Sequence, residues 1–228
     1  AREGAASIRA GLGLGNTRVI LGVDRLDYTK GIPERLAAYE RLLESRPDLR
    51  DRVTFVQVGV PTRADLAEYQ AVASAVEEGV AGLNRRFGAP GRPVIHLITR
   101  NLDFRDLIPY YVLADVMVVS SLHDGMNLVA KEFVAANVNV DGVLVLSPFT
   151  GASRELEHAV QASPYDTEAF ASAIVRAVDL DPEERARRMR TLREVVARQN
   201  IYDWARKIFR DARKLHLIPG ATKPTGPR

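Results

Sequence analysis

The chain has 228 residues, no cysteine and a formal net charge of +3. A chain of this length can bury a core without disulfides or metals, so one domain with short terminal extensions is expected. The lack of cysteine excludes a disulfide framework, a thiolate metal site and a cysteine nucleophile. Because there is neither an apolar run of about 20 residues nor an apolar leader, we predict a cytoplasmic protein without membrane contact.

Basic and acidic residues alternate, most densely at residues 183–190. Such a run is typical of a solvated helix face rather than a nucleic-acid patch, so no nucleic-acid partner is predicted. The modest positive balance, with a pI near 9.3, also suits a pocket for a diphosphate. His96, His158 and His216 show no spacing typical of metal ligands, and we expect no metal and no cofactor.

Short β-branched runs alternate with longer helical patterns along the whole chain. Strands are predicted at residues 19–23, 53–58, 94–98, 116–119 and 143–146. Helices are predicted at residues 33–45, 63–87, 105–114, 128–137 and 167–179, from Pro182 onward, and at 200–215. The alternation predicts an α/β fold, a Rossmann-like parallel sheet with helices on both faces.

The loop after the first strand carries two cations five residues apart, Arg25 and Lys30. In open α/β sheets, ligands bind beyond the carboxyl ends of the strands, and a helix begins just after this loop. The two cations could therefore converge on a diphosphate that the helix terminus also favours. The alternative is that they pair with Asp24 and Asp27 in a surface loop, and the residues alone leave both interpretations open.

The loop after the fourth predicted strand runs into another helix. Gly125 and Asn127 predict a tight turn, after which the free backbone N–H groups of Leu128 and Val129 can hold phosphate oxygens. Phosphate binding is thus predicted at the start of this helix.

Two carboxylates flank the same turn. Glu132 falls one helical turn after Leu128 and on the same side, where it can accept hydrogen bonds from the hydroxyls of a ribose. Asp124 precedes the turn and can accept from sugar hydroxyls. A purely structural role, with Asp124 or Asn127 as a helix cap, remains the alternative.

The sequence of the two loops reads VDRLDYTKG at residues 23–31 and DGMNLVAKE at residues 124–132. Together, these segments resemble the motifs of trehalose-6-phosphate synthases, retaining glycosyltransferases of family 20. Further similar segments follow in the family's order at residues 61–63, 142–147, 149–152 and 164–166, so that the resemblance spans residues 19–215. It implies one half of a GT-B fold, in which two Rossmann-like domains enclose the reaction cleft.

The resemblance implies a role for each matching residue. Arg25, Lys30 and Asp124 would be catalytic, with the two cations on the donor diphosphate and Asp124 on the donor glucose. Glu132 would hold the ribose, and Arg63 would reach the phosphate of the acceptor, glucose 6-phosphate. The remaining donor contacts would be Leu102, Gly125, Met126, Asn127, Leu128 and Val129.

Departures from the family's pattern leave two questions open. Leu102 stands near the expected contact to the base, where many relatives have an aromatic residue, so the choice of uracil, guanine or adenine stays open. His123 stands where arginine is common, and its role is not assigned. A lone histidine near a strand end is more often structural than catalytic.

The implied activity is transfer of glucose from UDP- or GDP-glucose to glucose 6-phosphate with retention. We expect three segments, a helix and linker at residues 1–18, a nucleotide-sugar-binding domain at 19–198, and a helix with a frayed tail at 199–228. An N-terminal acceptor domain is expected as a missing partner, so the chain alone should not turn over. The alternatives are a non-catalytic nucleotide-sugar-binding module, a glucosylglycerol-phosphate synthase and a pseudo-glycosyltransferase, and a homo-oligomer is left open.

Overall fold

A computed structural model describes residues 1–63 and 65–215. Its centre is a six-stranded, wholly parallel sheet with the strand order β3-β2-β1-β4-β5-β6. The strands are β1 (Arg18–Arg25), β2 (Val53–Val60), β3 (Ile95–Ile98), β4 (Val116–Val119), β5 (Val143–Leu146) and β6 (Val160–Gln161). The order runs outward from β1 in one direction and from β4 in the other, so the chain reverses its direction across the sheet between these two strands.

Helices cover both faces of the sheet. They are α1 (Arg2–Gly11), α2 (Ile32–Ser45), α3 (Ala67–Phe87), α4 (Phe104–Leu113), α5 (Leu128–Ala136), α6 (Thr167–Asp179), α7 (Pro182–Arg198) and α8 (Ile201–Lys214). Helix α2 packs against α3 and α6 on one face, while α4 packs against α1 and α5, and α5 against α7, on the other. The predicted Rossmann-like fold with helices on both faces is confirmed.

Each central strand supplies two separate cores because successive side chains point to opposite faces. Ile20 and Val116 belong to the core beneath α2, α3 and α6. Leu21 and Met117 belong to the core on the other face. The middle of β1 and all of β4 are therefore apolar on both faces, and the charged residues of β1 lie at its two ends.

Helix α3 corrects one predicted boundary. The sequence predicted a helix from residue 63, but α3 begins at Ala67. Arg63 has a φ of 46°, in the left-handed region that a right-handed helix excludes. Pro61 precedes it closely, and this segment therefore forms a loop that carries Arg63 outside the helix.

Other boundaries agree closely with the prediction. Strands β4 and β5 and helix α6 have the predicted limits. The short strand β6 was not predicted, since two residues show no periodicity. The tail after residue 218, predicted to fray, lies outside the described residues. No helix that the structure describes is long and apolar enough to cross a membrane.

Helix α8 stands apart from the two cores. None of its residues is buried, although it carries a large apolar stripe. Trp204, Ile208 and Phe209 on that stripe are 49%, 46% and 61% exposed. The described part of the molecule therefore leaves this stripe uncovered.

Candidate functional site

The loops after β1 and β4 meet at the carboxyl edge of the sheet. The Leu122 N–H donates to the Thr29 carbonyl at 2.8 Å. The Ser120 hydroxyl oxygen lies 2.9 Å from the Lys30 carbonyl and 2.7 Å from the Gly31 carbonyl. The strand order brings together two segments that are far apart in sequence, at the point where ligands bind in open α/β sheets.

Gly31 makes this close approach feasible. Its φ is 61°, and a Cβ built on it would lie 2.2 Å from the Ser120 carbonyl oxygen. Any larger residue would both strain the backbone and collide with β4's loop. The glycine that ends the first motif thus fixes the position of Lys30 relative to the second motif.

Lys30 and Asp124 form an ion pair across the two loops. The Lys30 Nζ donates to Asp124 Oδ2 at 2.6 Å, and the side chains are 15% and 14% exposed. The carboxylate also accepts from the Met126 N–H, the Asn127 N–H and the Asn127 side-chain amide, at 3.3, 3.2 and 3.1 Å. Burial works to raise the pKa of Asp124, but the Lys30 ammonium and these N–H donors hold the pKa below its ordinary value.

Arg25 is held much more loosely. Its side chain is 55% exposed, and its Nη2 lies 3.4 Å from Asp27 Oδ2. Asp27 is occupied chiefly with the loop, since its Oδ1 accepts from the N–H and the hydroxyl of Thr29 at 2.9 and 2.8 Å. Of the pairings considered from the sequence, only Arg25 with Asp27 is present, and Lys30 pairs across the site instead.

Helix α5 begins at the site with unused donors. Asn127 has a φ of 65° and caps the helix by accepting from the Ala130 N–H. Within residues 1–63 and 65–215, no acceptor receives the N–H of Leu128 or Val129. The helix dipole adds partial positive charge at the same place, so this end of α5 can receive an anion.

Tyr111 holds the Glu132 side chain in place through a hydrogen bond. The Tyr111 hydroxyl, on a fully buried side chain of α4, donates to Glu132 Oε2 at 2.8 Å. Burial and then the nearby Glu132 carboxylate raise the pKa of Tyr111, so the phenol stays protonated and remains a donor. One carboxylate oxygen of Glu132 is thus anchored, and the other remains available to hydroxyl groups.

Arg63 lies beside the first loop on an aromatic pair. Its Nη1 donates to the Tyr69 hydroxyl at 3.0 Å, and its guanidinium lies 5.5 Å from the centre of the Tyr69 ring. Tyr69 packs edge-on against Tyr28, which belongs to the loop of Lys30, with ring centres 5.7 Å apart. Arg63 is therefore connected to the site through two aromatic rings.

Leu102 and His123 occupy the margins of the site. Leu102 is partly buried against the core beneath α4 and α5. His123 is exposed and follows Leu122, whose N–H ties the two loops together. Gly125 and Met126 are exposed at the turn before α5.

A buried arginine that the sequence analysis missed supports the whole edge. Arg35 of α2 donates to Asp24 Oδ2 at 2.6 Å, to Gln57 Oε1 at 2.9 Å and to the Ser120 hydroxyl at 2.9 Å. Burial raises the pKa of the Asp24 carboxyl, against the opposing effect of Arg35. Arg35 thus links β1, β2 and the loop after β4, and the Ser120 hydroxyl in turn contacts the Lys30 and Gly31 carbonyls.

The sequence did contain a signal for this role. Arg35 lies three residues after Ile32 and four before Tyr39, both buried, and therefore falls on the apolar face of α2. A charged residue on such a face needs a partner.

Strand order and site together define a class of protein. The polar site lies where the sheet changes direction, beside a helix N-terminus with free N–H groups, as in Rossmann-type nucleotide-binding proteins. The model of glycosyltransferase family 20 matches residues 3–214, and the chain belongs to that family.

Curated relatives of the chain include trehalose-6-phosphate synthases of two mycobacteria. The trehalose-6-phosphate synthase of Mycolicibacterium smegmatis is 45% identical over 211 residues, which are 92% of this chain and 42% of that protein. The trehalose-6-phosphate synthase of Mycobacterium sp. strain JLS is 46% identical over 200 residues, 87% of this chain and 41% of that protein. The chain spans less than half the length of these relatives.

Solved structures agree in fold. A trehalose-6-phosphate structure from E. coli bound with UDP-2-fluoro glucose superposes with a TM-score of 0.85 at 36% identity, over 90% of this chain and 46% of that one. The α,α-trehalose-phosphate synthase (UDP-forming) of Burkholderia xenovorans, in complex with glucose-6-phosphate, gives 0.87 at 36% identity, over 93% and 49%. The family predicted from the two motifs is confirmed.

Proposed function

We propose that this chain is the donor-binding domain of an α,α-trehalose-phosphate synthase, which transfers glucose from UDP- or GDP-glucose to glucose 6-phosphate with retention. The observation that carries the proposal is the Lys30 and Asp124 pair, beside the free N–H groups of α5, at the reversal point of a family 20 sheet. Relatives bound with a UDP-glucose analogue and with glucose 6-phosphate support both substrate classes.

The donor diphosphate would bind between two sources of positive charge. Arg25 and Lys30 approach from the β1 loop, and the Leu128 and Val129 N–H groups approach from α5. Negative charge grows on the diphosphate as the bond to glucose breaks. Fixed cations and N–H groups stabilise that charge, which is electrostatic catalysis without a protein nucleophile.

Binding of the diphosphate would also release Asp124. The Oδ2 atom of Asp124 accepts from Lys30 at 2.6 Å and from the Asn127 side-chain amide at 3.1 Å, while its Oδ1 atom accepts from the backbone of Met126 and Asn127. A diphosphate that draws the ammonium away frees one acceptor position on Oδ2, while the Asn127 amide and the bonds to Oδ1 keep the carboxylate in place. Asp124 can then accept a hydroxyl of the donor glucose.

Three further residues complete the proposed substrate contacts. Glu132, anchored by Tyr111, would accept the two ribose hydroxyls. Leu102 would lie near the base, and Arg63, which donates to the Tyr69 hydroxyl, would bind the phosphate of glucose 6-phosphate. In this proposal no metal or cofactor takes part, and cationic side chains stabilise the charge on the departing diphosphate.

Turnover would require a second domain for the acceptor, since the chain spans less than half the length of its curated relatives. The proposed reaction needs a surface that binds glucose 6-phosphate opposite the carboxyl edge of the sheet. The uncovered stripe of α8, with Trp204 and Phe209, would pack on that domain and bury its apolar surface. The whole enzyme would work in the cytoplasm.

Calorimetric titration of the chain with UDP, GDP, ADP and their glucose conjugates tests the donor site. We expect either UDP and UDP-glucose or GDP and GDP-glucose to bind. The control is Arg190→Gln, which changes an exposed arginine on α7 away from the site and should leave the affinity unchanged. Absence of binding at millimolar concentration for all six ligands would contradict the proposal. Adding the N-terminal domain of a family 20 relative and assaying trehalose 6-phosphate then separates a half-enzyme from a binding module.

A further inference from the structure

A second polar cleft lies at the opposite edge of the sheet, at the amino ends of β1, β2 and β3. Its volume is about 540 Å³, within the range of sites for small molecules. Four arginines and a single aspartate line it: Arg18, Arg50, Arg52, Arg92 and Asp51. This local excess of positive charge is as large as the net charge of +3 on the whole chain.

Two of these arginines are partly buried and lack a carboxylate. Among the described residues, Arg18 and Arg50 form no ion pair, whereas Arg92 pairs with Asp51 at 2.6 Å on the rim. The Arg50 Nε donates to the Leu43 carbonyl at 2.8 Å, and its guanidinium lies 5.1 Å from the centre of the Phe87 ring. Arg18 donates through Nη1 to the Val178 carbonyl.

These contacts fix each guanidinium by one nitrogen and leave others unused. A partly buried cation without a counter-charge is unfavourable, and a bound anion would relieve that cost. The planar fork of arginine matches phosphate oxygens in a bidentate manner.

A glycine turn adds backbone donors to the same cleft. Gly13 and Gly15 have φ of 63° and 53°, and the turn is held by Arg9, which donates to the Gly15 and Thr17 carbonyls at 2.9 Å each. In the part of the chain that the structure describes, no acceptor receives the N–H of Gly15 or Asn16. Successive free N–H groups at such a turn form an anion-binding concavity.

We propose that this cleft binds a small organic phosphate, at a site separate from the sugar-transfer edge. Two fixed guanidinium groups and two consecutive N–H groups are the donors that a phosphate monoester needs, and the concave shape fits a molecule of sugar-phosphate size. Strand β1 begins at this cleft with Arg18 and ends at the other edge with Arg25. At about 3.3 Å per residue the two sites lie roughly 23 Å apart, so the ligand is an effector rather than a substrate.

The two sites can be observed separately by NMR of the ¹⁵N-labelled chain. Ribose 5-phosphate is titrated at constant ionic strength, with malonate as a dicarboxylate comparison. We expect saturable shifts of the Gly15 and Asn16 amides that follow their own binding curve, distinct from any shifts of Leu128 and Val129. Absence of saturable shifts at Gly15 and Asn16, or a stronger response to malonate, would overturn the proposal.

Variants of the cleft arginines make the test specific. Arg50→Met should weaken ribose 5-phosphate binding at Gly15 by about tenfold or more, as for a lost hydrogen bond to a charged group. Arg52→Gln, at a side chain that is 57% exposed, tests the same cleft without risk to the fold and should weaken binding severalfold. Arg190→Gln on α7 is the matched control and should change nothing. Equal affinities in Arg50→Met, Arg52→Gln and the control would also overturn the proposal.

Discussion

Two ion pairs of the same length lie near the carboxyl end of β1, in different surroundings. Arg35 and Asp24 approach to 2.6 Å with side chains 1% and 3% exposed, and Lys30 and Asp124 also approach to 2.6 Å but are 15% and 14% exposed. Arg35 has three fixed partners, whereas the Lys30 ammonium has only Asp124 among the described residues. Distance alone therefore does not distinguish a structural ion pair from one that can exchange its partner for a ligand.

The difference lies in what would follow from breaking each pair. Loss of Arg35 leaves a carboxylate buried without compensation, which is strongly destabilising. Loss of Lys30 leaves Asp124 with three N–H donors and access to water. The buried pair should therefore govern stability, and the open pair should govern binding.

The largest expected effect belongs to the buried pair. Arg35→Met should lower the free energy of unfolding by about 3–5 kcal/mol, because Asp24 loses its counter-charge in the interior. Chemical denaturation measures the change. Arg41→Met on the same helix, which breaks two exposed pairs, with Glu168 at 2.6 Å and with Glu44 at 3.6 Å, is the control and should cost less than about 1 kcal/mol. Similar losses for the two variants would remove the distinction between the pairs.

A smaller effect, on UDP affinity, is expected from Tyr111, which contacts Glu132 rather than the ligand. Tyr111→Phe should weaken UDP binding by about 0.5–1.5 kcal/mol, since Glu132 loses the hydrogen bond that positions it for the ribose. Binding of inorganic pyrophosphate, which has no ribose, should not change. Tyr110→Phe is the matched control, because its hydroxyl makes no hydrogen bond within the described residues. Equal weakening of UDP and pyrophosphate binding would mean that Tyr111 acts on the fold rather than on Glu132.

The Lys30 and Asp124 pair also predicts that stability depends on pH. The folded-state pKa of Asp124 is lowered from its ordinary value of 3.8, so its stabilising contribution is present above that pH. It is lost as the pH falls through the lower, folded-state pKa. The stability difference between the chain and Asp124→Asn should therefore shrink as the solution is acidified below about pH 4. A difference that stays constant down to pH 2, in urea unfolding at several pH values, would mean that the carboxylate is not held in its charged form.

Most of the fold could be predicted from the sequence because the signals are local. Strands β4 and β5 are uninterrupted apolar runs, and α6 has a capping aspartate, Asp166, before a regular apolar stripe. The start of α3 could not be predicted, since it depends on the left-handed backbone of Arg63. Patterns read along the chain do not report single dihedral angles.

The candidate site could likewise be predicted only in part. The two motifs and their place at strand ends are visible in the sequence, but the pairing of Lys30 with Asp124 joins residues 94 positions apart. The network of Arg35 unites partners from β1, β2 and the loop after β4, and it becomes visible only when the strand order is known. Sequence therefore indicated which loops matter, and the fold determined which side chains face one another.

Whether Lys30 serves ligand binding rather than stability can be measured on one variant, Lys30→Ala. Calorimetry gives its affinity for UDP, and denaturant unfolding gives its stability. UDP affinity should fall by about 1.5–3 kcal/mol, the value of a hydrogen bond to a charged group, while the free energy of unfolding should fall by less than the roughly 3–5 kcal/mol expected for Arg35→Met. Unchanged UDP affinity combined with a large loss of stability would contradict this expectation, because Lys30 would then be a structural cation like Arg35.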